Sequence, residues 1–137
     1  MLTRVTHVSL LVRDQDEALN WYLEKLEFEK RADSPFPNDM PGRWLTISPK
    51  RQPDLEIVLQ PIEWGLSGSP ETRSQAIGQT PGWVIITDNC RSDYERLKSR
   101  GVEFSSPPEE LPWGISAVLR DLYGTQHNLL QPFVVLS

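Results

Sequence analysis

Cysteine is almost missing from this chain: its 137 residues contain one, Cys90. A lone thiol closes no intrachain disulfide, so nothing points to an oxidising compartment, and the cytoplasm is the expected location. Histidine is nearly as scarce. His7 and His127 are the only two, and with a single cysteine they build no Cys/His zinc cluster. Long apolar runs are lacking too: stretches such as Phe133 to Leu136 are a few residues long, against the roughly 18 to 20 that cross a bilayer, and Met1-Leu2-Thr3-Arg4 does not begin a signal-peptide core. No membrane partner is expected. Positive charge is in deficit, with 14 Lys and Arg against 19 Asp and Glu, a net charge of −5 and no basic stripe. The mean field repels phosphate backbones, which makes nucleic acid an unexpected partner.

Proline and tryptophan are plentiful, at 12 and five residues. The 38% hydrophobic and 24% charged content belongs to a chain that can bury a core, and the length suits one domain or two small modules sharing one.

Thr3 to Val12 alternates as a strand, with Val8, Leu10 and Val12 on one face and Val5, His7, Ser9 and Leu11 on the other. Asp14 and Glu17 read as a capping box, and Ala18, Trp21, Tyr22 and Leu26 recur at helical spacing. A short strand at Phe28 to Arg31, a proline-rich loop from Ser34 to Gly42, and strands at Arg43 to Ser48 and Leu55 to Gln60 follow. Ile62 to Pro81, rich in Gly, Ser, Pro and Gln, reads as a linker or lid loop. A second series then begins: a strand at Trp83 to Thr87, a helix capped by Asp88 or Asn89 and ended by Gly101, and strands at Val102 to Ser105, Ile115 to Arg120 and Gln126 to Val134. The two series match in order, down to Glu27-Phe28 against Glu103-Phe104 and Leu59-Gln60-Pro61 against Leu130-Gln131-Pro132. This indicates an internal duplication, a βαβββ module at 1–61 and another at 82–137 joined by a 62–81 loop.

A duplicated βαβββ unit whose first strand carries a His seven residues before a capping Asp resembles the vicinal oxygen chelate superfamily, which includes glyoxalase I, bleomycin-resistance proteins and extradiol dioxygenases. The resemblance rests on His7-Val-Ser-Leu-Leu-Val-Arg-Asp14 running into Trp21-Tyr22, on Asp54-Leu-Glu-Ile-Val-Leu-Gln60, on Tyr94-Glu-Arg-Leu-Lys-Ser-Arg-Gly101-Val-Glu-Phe, and on Arg120-Asp-Leu-Tyr-Gly124 before a strand ending Gln131-Pro132. It implies an α+β fold in which paired modules form a curved eight-stranded cup. It also implies a homodimer, a small-molecule ligand and, in metal-dependent members, a divalent ion held from the first and last strands of each unit.

Carried onto this chain, those positions are His7 and Glu56 in the first unit, both good ligands for Zn, Ni, Mn or Fe. In the second they fall within Pro81, Gly82 and Trp83, which offer no ligand, and at Asn128, a neutral one. An alternative register sets His127 opposite Glu56, and because neighbouring strand residues face opposite ways, either Asn128 or His127 enters the cup. His7 and Glu56 also have a metal-free reading, as an ion pair or as a base with its orienting group.

Alternation places Trp44, Thr46, Val58, Gln60, Ser116, Val118 and Arg120 on the face of His7 and Glu56. Arg120 is a candidate clamp for a substrate carboxylate or phosphate, unless Glu56 or Asp121 pairs with it. Trp113, Trp83 and Trp64 are candidates to stack on a flat ligand or, alternatively, core or dimer-contact aromatics. Cys90, near a helix start that would lower a thiol pKa, reads as a packing residue, and Glu109 and Glu110 as solvated loop charges. Three functions compete: a glyoxalase-like lyase or dioxygenase acting on vicinal oxygens, a metal-free binder that sequesters an aromatic or cationic compound, and a non-catalytic interaction module.

Overall fold

The computed structural model describes residues 1–65 and 68–134, and the chain divides into two compact units, Met1–Ile77 and Gly78–Ser137. The described residues form eight strands in two four-stranded sheets, with three helices, an α+β architecture of paired βαβββ modules. None of these helices is long and apolar enough to cross a membrane.

In the first unit β1 (His7–Val12), α1 (Gln15–Lys25), β2 (Glu29–Pro35), β3 (Arg43–Ser48) and β4 (Glu56–Pro61) build a sheet of order β1-β4-β3-β2, with β1 parallel to β4. Asp14 caps α1 as the sequence indicates: the Glu17 amide donates to Asp14 Oδ1 at 2.9 Å. Val8 lies opposite Ile57 and Leu10 opposite Leu59, and Ile47 on β3 faces Ile57. These side chains therefore share one side of the sheet, where α1 contributes buried Ala18, Leu19 and Tyr22. Each fully buried aliphatic there stabilises by roughly 1.5 to 3 kcal/mol. Strict alternation then turns His7, Glu56, Trp44 and Thr46 to the other side.

Two expectations from proline content are corrected. β2 runs on to Pro35, and the segment read as a loop from Ile62 to Pro81 contains a helix, α2 (Pro70–Ala76). Ser69 caps it, accepting from the Thr72 amide at 3.2 Å, and Pro70 sits in its first turn, where a missing N–H costs nothing.

The second unit repeats the plan with β5 (Val84–Ile86), α3 (Cys90–Ser99), β6 (Glu103–Leu111), β7 (Gly114–Arg120) and β8 (Gln126–Pro132), in order β5-β8-β7-β6 with β5 parallel to β8. Asn89 is the cap of α3, accepting from the Ser92 amide at 3.0 Å, and Gly101 follows the helix at φ +91. β6 is longer than its Pro107-Pro108 pair suggests, so Glu109 and Glu110 lie in a strand rather than a loop, opposite Ser116 and Ile115. β6 is an edge strand with a register shift between Ser106 and Glu109, the setting in which proline is tolerated in a sheet.

Candidate functional site

The site begins with one rung of a parallel ladder, in which His7 on β1 stands directly opposite Glu56 on β4. Their side chains, 36% and 28% exposed, approach to 3.8 Å between Nε2 and Oε2. That is longer than a hydrogen bond. Glu56 is anchored instead from β3, where the Thr46 hydroxyl donates to Oε1 at 2.5 Å. Thr46 is fully buried, so its hydroxyl is held in place and the charge-assisted bond fixes the carboxylate. On the other side of the imidazole, Nδ1 lies 2.8 Å from the Thr6 hydroxyl. The Trp44 ring lies 5.5 Å from the His7 ring, tilted by 51°. A proton donor or acceptor, a carboxylate and a large aromatic thus share the side of the sheet away from α1.

The corresponding rung of the second unit is different. Val84 on β5 stands opposite Asn128 on β8. The position matching His7 is therefore Val84, one residue beyond the Pro81–Trp83 window expected from the sequence. Val84 is 58% exposed, and Asn128 Oδ1 accepts from the Ser116 hydroxyl at 2.6 Å.

Residues 4–129 match the Glyoxalase/Bleomycin resistance protein/Dioxygenase superfamily. The chain belongs to that superfamily. It is 33% identical over 129 residues to the Bacillus subtilis (strain 168) protein YurT, covering 93% of this chain and 96% of that one. Among solved structures it is similar to UcmS2, at 37% identity and a TM-score of 0.82, covering 95% of this chain and 98% of that one. It is also similar to TnmS3, an antibiotic binding protein from Streptomyces sp. CB03234, at 32% identity and a TM-score of 0.77, covering 96% of this chain and 97% of that one.

The divalent ion of the superfamily's metal-dependent members is a poor fit to these donors. A catalytic ion takes about three protein ligands and keeps an open position. Here His7 and Glu56 are two strong donors, Val84 offers nothing, and the neutral amide oxygen of Asn128 is already engaged by Ser116. No group of three or more His, Cys, Asp or Glu placed to hold an ion occurs among the described residues.

Asn128 and His127 point to opposite faces of β8, and His127, opposite Leu119, is fully buried rather than outward. Its Nδ1 accepts from the Trp83 amide at 3.0 Å, and its ring stacks on Trp83 at 4.2 Å between centroids. Burial pushes its pKa down to about 4, partly opposed by the Asp121 carboxylate, whose Oδ2 is 3.9 Å from Nε2. One ring face of Trp83 is thus taken up by His127.

Cys90 is buried, and that burial raises its thiol pKa, against the lowering that a helix start alone would bring. Trp64 donates from Nε1 to the Pro41 carbonyl at 2.8 Å and meets Phe36 edge-on, closing one loop on another. Trp113 is 56% exposed between β6 and β7. Arg120 ends β7 as an exposed side chain and does not pair with Asp121, whose Oδ1 instead accepts from the Tyr123 and Thr125 amides. Val84 was not legible in the sequence, because its place depends on ladder register between distant strands.

Proposed function

We propose that the protein is a metal-free binder of small planar aromatic compounds, a sequestering protein rather than a lyase or dioxygenase. The observation that carries this reading is the Val84–Asn128 rung, which puts an apolar side chain and a neutral amide where metal-dependent relatives need ligands. The first unit supplies the recognition chemistry. In the tautomer whose Nδ1 accepts from the Thr6 hydroxyl, Nε2 carries the hydrogen and donates, while Glu56 Oε2 accepts. Set 3.8 Å apart, the two suit a ligand hydroxyl that accepts from one and donates to the other. Trp44 offers a ring face beside them. The similarity to TnmS3, an antibiotic binding protein, supports a small-molecule ligand, and the net charge of −5 favours neutral or cationic ones. The working form proposed is a homodimer, supported by the exposed apolar side chains Trp113 and Phe133. Sedimentation at two concentrations reads that directly.

The metal-dependent reading, a lyase or dioxygenase acting on vicinal oxygens, keeps the His7–Glu56 rung in its favour. Metal analysis of protein purified without chelator, beside a His7→Ala variant, separates the two. A stoichiometric metal lost on substitution establishes the enzyme reading. In parallel, tryptophan fluorescence is titrated with 2-naphthol and with naphthalene. Saturable binding of 2-naphthol, weakened in His7→Ala and in Trp44→Leu and weaker for naphthalene, is expected. Absence of saturable binding sinks the proposed ligand class.

A further inference from the structure

Where α3 meets the start of β6 beside the end of β7, a groove of about 510 Å3 opens in the second unit. That volume is in the range of small-molecule sites. It shares no residue with His7, Trp44 or Glu56. Its apolar part is Tyr94 against Phe104, edge to face at 4.6 Å between centroids, over buried Val102. Two cations line it. Lys98, one turn beyond Tyr94 on α3, holds its Nζ 3.3 Å from the Tyr94 hydroxyl and 5.4 Å from the ring centre. Arg120 is exposed and has no side-chain partner among the described residues, although Glu103 stands directly opposite it in the ladder. Among the described residues no carboxylate pairs with Lys98 or Arg120, in a chain whose net charge is −5.

We propose that this groove is a second binding site, for a planar aromatic carboxylate. The guanidinium of Arg120 presents a planar fork that matches a carboxylate with two parallel N–H bonds, which an ammonium cannot do. Lys98 adds a second positive charge, and Tyr94 with Phe104 supplies the apolar surface for the ring. Glu103 on the rim reduces the lining to one net positive charge. A monoanion neutralises that lining, whereas a dianion such as an aryl phosphate would leave one negative charge uncompensated beside Glu103.

The test is amide-resolved NMR titration of the full chain with 2-naphthoate, with 2-naphthalenemethanol as the neutral analogue and phenyl phosphate as the dianion. Saturable shifts at Tyr94, Lys98, Phe104 and Arg120 are expected with 2-naphthoate alone or most strongly. Arg120→Gln and Lys98→Gln are each expected to weaken it by about tenfold, the worth of one charge-assisted contact. Both side chains are exposed, and unchanged amide positions elsewhere report that the fold is kept. The proposal is overturned by absence of saturable shifts at these amides, by equal binding of the alcohol, by tighter binding of phenyl phosphate, or by unaltered 2-naphthoate affinity in both variants. Because the groove residues are read separately from Trp44 and His7, the outcome is independent of whether 2-naphthol binds the first unit.

Discussion

Trp83 and His127 lie face to face, with ring centroids 4.2 Å apart and planes 19° from parallel, and the backbone N–H of Trp83 donates to Nδ1 of the same imidazole. The imidazole is thereby held neutral with its hydrogen on Nε2, sealed from water. A free histidine titrates near 6.5, and His127 in the folded chain near 4. Between those values the unfolded chain binds a proton that the folded one refuses, so stability falls as pH drops below about 6.5, and the loss is complete near pH 4. By pH 5 the loss from this group is about 2 kcal/mol. Urea midpoints at pH 7 and pH 5 measure it. His127→Gln, which keeps an acceptor for the Trp83 amide, is expected to remove this part of the pH dependence.

Gly82 explains why the chain can pass so close to that histidine. A Cβ on Gly82 would run into the Gln126 carbonyl and lie 2.6 Å from His127 Nδ1. Backbone cannot give way as a flexible side chain does, so Gly82→Ala is expected to cost roughly 2 to 4 kcal/mol, by overpacking and by disturbing the β5–β8 pairing. Thermal melts read the cost. Loss of the Trp83 fluorescence environment should accompany it.

Much of this architecture is written locally. The Asp14 cap, the α3 cap at one of two adjacent candidates, Asn89 rather than Asp88, and the alternation that separates His7 from Val8 involve neighbours a few residues apart and appear where the sequence puts them. α2 had a signal that proline-rich composition masked: Ser69-Pro70-Glu71-Thr72 is a cap followed by a first-turn proline. The extent of β6 had none, since tolerance of Pro107 and Pro108 depends on its edge position. Within the site, His7, Glu56, Trp44 and Thr46 are brought together because they alternate on adjacent strands. The matching rung in the second unit was illegible because a one-residue change of register decides between Trp83 and Val84, and that register is set by pairing with a strand more than forty residues away.

Thr46→Val keeps the shape of a buried side chain and removes the hydroxyl that donates to Glu56. The carboxylate stays partly exposed, so water replaces some of the lost bond and the cost is about 1 kcal/mol. A larger effect is expected on the ligand, because an unanchored Glu56 no longer holds its second oxygen opposite His7. 2-Naphthol affinity measured in Thr46→Val and Thr46→Ser separates the two, since serine restores the donor. Recovery in Thr46→Ser identifies the hydroxyl as a positioning group; equal loss in both assigns the effect to packing.

Arg73 presents the converse case, a charge buried for the sake of the backbone. Only 6% exposed, it donates from Nε to the Ile62 carbonyl at 2.7 Å and from Nη1 to the Gly68 carbonyl at 2.9 Å. One guanidinium thus ties α2 to the segment that follows β4, satisfying carbonyls that a short helix cannot reach. Arg73→Met preserves the length of the stem and deletes the donors, leaving both acceptors to find water. The expected result is a local one: faster amide exchange across α2, and about 1 to 3 kcal/mol less stability. Exchange rates in the second unit should stay as they were. Hydrogen exchange resolved by peptide distinguishes that outcome from global destabilisation, in which amides of both units would accelerate together.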